Sequence, residues 1–167
     1  VLLDDTRPTD ARLAASAAVG RLVATDPRLG VDLVDDIVSI LANDGGRLRS
    51  NVAGIVCDVA TVHTDVVAPH VDALVSLLSV DEVYARVNAS GVLGHVAGDV
   101  PDAVAAHRDA VVDLPADDYP RARENACWAL GYLAAQDATS TLKDRAHGDE
   151  NADVRTRASW ALNQING

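Results

Sequence analysis

Four acid–arginine pairs recur along this chain, each arginine five residues after its acid: Asp44 and Arg49, Asp81 and Arg86, Asp118 and Arg123, Glu150 and Arg155. A carboxylate and a guanidinium make strong, charge-assisted hydrogen bonds, frequently two in parallel. An acid that opens a helix also caps free backbone N–H groups and meets the positive end of the helix dipole. The arginine, one turn later, has two available partners: the acid of its own segment or that of the next. A second column, Asn51, Asn88 and Asn125, follows Arg49, Arg86 and Arg123 by two residues. An amide offers a donor and an acceptor together, which suits a hydrogen bond across a loop or a clamp on an extended peptide backbone. A third column is Asp35, Asp72 and Asp109, with Asp32, Asp36, Ser39, Ser76 and Asp113 on the same faces by helical spacing. It forms either a solvated face or an acidic groove that receives a basic or polar segment of another protein.

The side chains that usually carry catalysis are not arranged for it. None of the five histidines is followed by Glu. His63 and His70 flank a loop, and His70 and His107 stand at equivalent positions of a repeat, so packing accounts for them and no metal site is expected. Cys57 and Cys127 match neither a disulfide framework nor a zinc pattern and fall in columns of small residues, which reads as burial rather than nucleophilicity. Gly45–Gly46 is too short for a phosphate-binding loop. No catalytic residue, metal or cofactor is expected. Trp128 and Trp160 share one column; they either pack between units or form an exposed aromatic strip.

The elements that position these columns come from an internal repeat. Arg12, Arg49, Arg86 and Arg123 are 37 residues apart, and Arg155 follows after 32. Three residues after each arginine stand Ala15, Val52, Ala89, Ala126 and Ala158. Offsets six, seven and ten are also apolar (Leu22, Val59, Val96, Leu133 and Ile165 at the last), which together trace one face of an α-helix. Offset four is small throughout: Ser16, Ala53, Ser90, Cys127 and Ser159. Small residues let helices approach closely. LVDDIVSIL, HVDALVSLL and HRDAVVDL supply a second helix per unit, with Pro27, Pro69 and Pro101 in or before its first turn. The fourth unit is shorter and its second helix, about 139–147, is weak. Short loops make successive helices antiparallel, and stacking buries the face that each unit leaves bare.

Charge bounds the partners. There are 25 acids against 14 bases, a net charge of −11, and all but three acids are Asp; Lys143 is the single lysine. Such a chain repels phosphate backbones, so nucleic acid is not an expected partner. No apolar run is long enough to span a membrane and no signal peptide is visible, so a cytoplasmic location without membrane contact is expected. The Asp-rich, Lys-poor composition resembles cytoplasmic proteins of salt-loving archaea; an acidic protein of a high-GC organism is the alternative.

DVRTRASWALNQI and YPRARENACWALGYLAA look like the first helices of HEAT repeats, in the subclass also found in phycobilin lyases, and DALVSLL resembles the second helix. The resemblance implies an all-α, right-handed α-α superhelix of the HEAT/armadillo-like solenoid kind, about four and a half helical hairpins in one domain over 1–167. The units run at about 7–43, 44–80, 81–117, 118–149 and 150–167. In HEAT arrays the second helices line the concave side, which would put Asp32, Asp35, Asp36, Asp72, Asp109 and Asp113 on the binding surface. The implied function is a non-catalytic scaffold or adaptor for another protein. The alternatives are a HEAT-like subunit of a lyase-type enzyme complex and a structural spacer arm. HEAT-repeat deoxyhypusine hydroxylases hold iron with His-Glu pairs, which this chain lacks; HEAT-like DNA glycosylases need a basic concave face. Val1–Asp5 reads as the tail of an earlier second helix, and the last segment as a first helix without a partner, so a longer array is expected. The oligomeric state stays open.

Overall fold

The computed structural model describes residues 1–167. Five first helices carry the arginine column: α1 (Thr9–Thr25), α3 (Gly46–Ala60), α6 (Val83–Asp99), α9 (Pro120–Tyr132) and α11 (Ala152–Asn166). Between them run α2 (Val34–Asn43), α4 (Thr64–Val67), α5 (Val71–Ser76), α7 (Pro101–Ala105), α8 (Arg108–Asp113) and α10 (Thr139–Gly148). No strand is present.

The second half of a unit differs from the expected single helix. Units two and three each divide it into two short helices, α4 with α5 and α7 with α8. In unit two a 3-10 turn, Ala68–His70, joins the pieces. Pro69 sits in that turn and has no N–H to donate. In unit one a 3-10 segment, Pro27–Leu33, precedes α2. A hairpin of two straight helices is therefore a first helix plus a bent, two-piece return.

The apolar columns form the core. Val52, Val56 and Val59 of α3, Val92, Leu93 and Val96 of α6, and Ala129 and Leu130 of α9 are buried and continuous with Leu41, Leu74, Val104 and Leu142 from the returns. Leu22 breaks its column: it is 60% exposed, and Val23, 1% exposed, takes the core position. Ser159, in the small-residue column, is exposed on α11.

The two rows are not equivalent. Each first helix packs on the next, α1 on α3, α3 on α6, α6 on α9 and α9 on α11. The return helices meet mainly first helices; α2 on α5 is the main contact among themselves. The closest packing between units therefore lies along the first-helix row, and the acids of the returns stand on the other row.

Candidate functional site

The arginine column builds a ladder between units. Arg12 donates from Nη1 and Nη2 to both oxygens of Asp44, each at 2.8 Å. Arg49 reaches Glu82 at 3.1 Å, Arg86 reaches Asp117 at 2.7 Å, and Arg123 grips Asp149 with two bonds of 2.8 Å. Every pairing is with the following junction. Only Asp44 of the four expected acids serves by its carboxylate. Asp81, Asp118 and Glu150 instead lend backbone carbonyls to Arg86, Arg123 and Arg155 of their own units. The Glu150 carboxylate stands 3.8 Å from Arg123.

The expected capping is corrected as well. Asp44, Asp81, Asp118 and Glu150 each precede the N-cap residue by one position, the caps being Gly45, Glu82, Tyr119 and Asn151. Of these only Asn151 caps with its side chain, accepting from the N–H groups of Asp153 and Val154.

The Asp149 carboxyl is held down to about 2, chiefly by the Arg123 hydrogen bonds, against the opposing effect of burial. For Asp117, burial pushes the carboxyl up, but Arg86 and the Tyr119 N–H outweigh it and leave it lowered. Glu82 is lowered first by the Gly46 N–H.

The asparagines tie each first helix to its predecessor. Asn51 donates to Ser16 Oγ at 2.9 Å and Asn88 to the Ser50 carbonyl at 3.3 Å. Asn125, buried, donates to the Val87 carbonyl and to Ser90 Oγ, both at 3.1 Å. These bonds cross between helices rather than across a loop.

The acids of the returns are exposed. Asp35 accepts from His70 at 2.8 Å and Asp72 stands 2.7 Å from His107, each pair joining one unit to the next. Asp109 has no such partner; instead Arg108 beside it holds Asp137. Asp32, Asp36 and Asp113 are exposed, and Asp113 edges a shallow hollow with Val75, Leu78 and Asp117.

The open face of the first-helix row carries two features. Over α1, α3 and α6 lies a hollow of about 640 Å³. Its floor is one face of α3, Arg47, Ser50, Asn51, Gly54, Ile55 and Asp58, flanked by Ala17, Gly20 and Arg21 of α1 and by Tyr84 and Asn88 of α6. Small residues at Ala17, Gly20 and Gly54 leave the space unfilled. Over α9 and α11 the same positions carry aromatics. A Cβ on Gly94 would lie 2.3 Å from Trp128, and one on Gly131 would lie 2.4 Å from Trp160. Each indole therefore rests on the bare backbone of the preceding unit. His95, Trp128, Tyr132 and Trp160 follow one another at ring-centroid distances of 4.7, 5.9 and 5.2 Å. The tryptophans both pack between units and contribute to a strip, where Tyr132 is 41% exposed. Burial lowers the His95 pKa, which favours its neutral form. The Arg157 guanidinium lies 5.5 Å from the Trp128 ring centre and 5.6 Å from that of Trp160, with Glu124 at 3.6 Å. Only the tryptophan column was apparent from sequence; the hollow follows from small residues on three helices whose alignment the spacing had already given.

The model for HEAT repeats matches residues 71–163. This chain belongs to the HEAT-repeat family. Among solved structures, the HEAT-repeat chain is similar to an engineered protein at 20% identity and a TM-score of 0.80, over 99% of this chain and 76% of that one. A designed armadillo repeat protein in complex with the peptide (KR)4 aligns at 16% identity and a TM-score of 0.78, over 99% and 79% of the two chains. Computationally designed armadillo repeat proteins for modular peptide recognition align at 19% identity and a TM-score of 0.79, again over 99% and 79%. No curated protein matches the sequence. These likenesses fix the fold: an all-α, right-handed α-α superhelix of the HEAT/armadillo kind. No helix is long and apolar enough to cross a membrane.

Proposed function

We propose that this HEAT-repeat chain is a non-catalytic interaction scaffold that holds a basic segment of another protein on its first-helix row, at the strip formed by Trp128, Tyr132 and Trp160. The observation that carries the reading is Arg157. An aromatic face attracts a guanidinium through its ring quadrupole, and here one guanidinium stands over two indoles beside the mostly buried Glu124. The strip thus displays, with its own arginine, the kind of side chain it accepts. The designed relative in complex with (KR)4 supports the idea that this fold presents such a segment.

The acids of the returns, Asp32, Asp35, Asp36, Asp72, Asp109 and Asp113, serve the same partner differently. Being exposed, they add to a field of net charge −11 that draws a basic segment in, while the seat lies on the other row. Arg49, Arg86, Arg123 and Arg155, with their carboxylate and carbonyl partners and with Asn51, Asn88 and Asn125, keep the units in register. The expected cytoplasmic location fits two free thiols.

Fluorescence anisotropy with labelled (KR)4 tests this at about 0.15 M salt, where exposed charges more than about 8 Å apart are largely screened. Binding lost in Trp160→Ala but retained, with slower association, in Asp35→Asn/Asp72→Asn/Asp109→Asn is the expected outcome. Loss in the triple variant with the Trp160 variant unaffected would move the seat to the returns.

A further inference from the structure

We infer that the hollow over α3 is a second subsite on the same face, and that it takes an acidic side chain from a short peptide segment. The inference rests on the proposed use of the first-helix row for peptide binding, but on different residues.

The observation is a distribution of charge. Eleven of the thirteen arginines are engaged, ten by a carboxylate and Arg155 by backbone carbonyls. The two with neither kind of partner, Arg21 and Arg47, both border the hollow. In a chain with 25 acids and 14 bases, an arginine without an acid partner is unexpected, and two at one hollow outnumber its one carboxylate, Asp58. A guanidinium presents a planar fork of donors that matches a carboxylate in two parallel bonds.

The remaining lining says what else the occupant carries. The Asp58 carboxyl is raised by burial alone, with no hydrogen bond or cation offsetting it. It asks for a donor. Asn51 and Asn88 each spend one N–H on a neighbouring helix, which leaves their amide oxygens and second N–H groups for a ligand. Donors and acceptors in alternation are what a peptide backbone supplies. From Arg47 to Asp58 the α3 face runs eleven residues, about 16 Å at 1.5 Å per residue. That is the reach of about five extended residues. The fit is a five-residue stretch with one Asp or Glu on Arg47 and backbone N–H groups toward Asp58. The volume, about 640 Å³, accommodates such a stretch.

The test is an NMR titration of the whole chain with acetyl-Gly-Ser-Glu-Ser-Gly-amide and with its Glu→Gln counterpart. The Asn51 and Asn88 side-chain NH₂ signals and the arginine Nε–H signals are followed. The Glu peptide is expected to shift them saturably and to bind roughly tenfold more tightly than the Gln peptide, with the difference gone in Arg21→Gln/Arg47→Gln. Both arginines are exposed and without a carboxylate partner, so that variant keeps the fold, as an otherwise unchanged spectrum would verify. Equal shifts by the two peptides, no shift by either, or an equal response to acetate alone would overturn the inference. The readout uses neither tryptophan. A failure here therefore stands apart from a failure of (KR)4 to engage the aromatic strip.

Discussion

The Arg123 guanidinium and the Asp149 carboxylate, 26 residues apart, meet through two parallel hydrogen bonds of 2.8 Å, with side-chain exposures of 6% and 0%. This pair crosses the junction between α9 and α11. Removing Arg123 leaves the buried carboxylate with only Arg145, at 3.4 Å, and the Asn151 N–H, at 3.0 Å. Arg123→Ala is expected to lower stability by about 3 kcal/mol, whereas Arg28→Ala, whose pair with Asp26 is largely exposed, should change it by no more than about 0.5 kcal/mol. Urea unfolding of both variants checks the contrast. Arg123→Lys should recover only part of the loss, because an ammonium cannot reproduce the two-pronged contact.

The same pair sets an acid limit. The Asp149 carboxyl titrates at about 2 in the folded chain, below its ordinary value near 4. A lowered folded pKa contributes stability that is complete above the unfolded pKa and is lost as pH falls through the folded one. Asp117 and Glu82 are lowered too and add in the same direction. Unfolding free energy should therefore fall between about pH 4 and pH 2, and Arg123→Ala should flatten that slope. A wild-type stability that stays level across the window would contradict the ladder.

Burial raises the Cys57 thiol to about 11 and the Cys127 thiol to about 12. The thiolate is the reactive form. At pH 8 neither cysteine should react appreciably with iodoacetamide in the folded chain, and both should react on adding denaturant. Mass spectrometry of the alkylated chain gives the count. Cys57, only half-buried, should be the first to label when the N-terminal units open.

The bare backbone at Gly94 seats the Trp128 ring. Gly94→Ala places a Cβ 2.3 Å from the indole and should cost about 1–3 kcal/mol by overpacking, as thermal unfolding would show. Arg157→Ala is a different case. It removes a stacking contact of about 0.5–1 kcal/mol and vacates the strip. Stability should drop slightly while affinity for (KR)4 rises several-fold. A fall in affinity would mean that Arg157 supports the seat rather than filling it.

How much was legible beforehand varies with the kind of residue. The repeat of Arg12, Arg49, Arg86, Arg123 and Arg155 located all five first helices, because helical periodicity and unit spacing act along the chain. The ladder partners were less accessible. Asp81–Glu82, Asp117–Asp118 and Asp149–Glu150 each offer two adjacent acids, and a fixed offset selected the one whose carbonyl, not carboxylate, faces the arginine. Which of two neighbouring carboxylates points at a guanidinium depends on the turn at the junction, and no spacing encodes it. Which row packs more closely was not legible for a similar reason. Asp35, Asp72 and Asp109 form a column visible in the sequence, but which row is crowded follows from packing across 37-residue steps. Gly20, Gly54, Gly94 and Gly131 held the clue, since small residues mark the helices that approach closely.

The central claim is that the first-helix row seats a basic segment at the aromatic strip. Trp128 and Trp160 are the chain's two tryptophans and both lie in that strip, so selectively excited tryptophan fluorescence reports on it alone. Titration with (KR)4 is predicted to change the tryptophan emission saturably, with the same midpoint as the anisotropy of the labelled peptide. Binding seen by anisotropy with tryptophan emission unchanged would contradict the claim and place the peptide elsewhere on the solenoid.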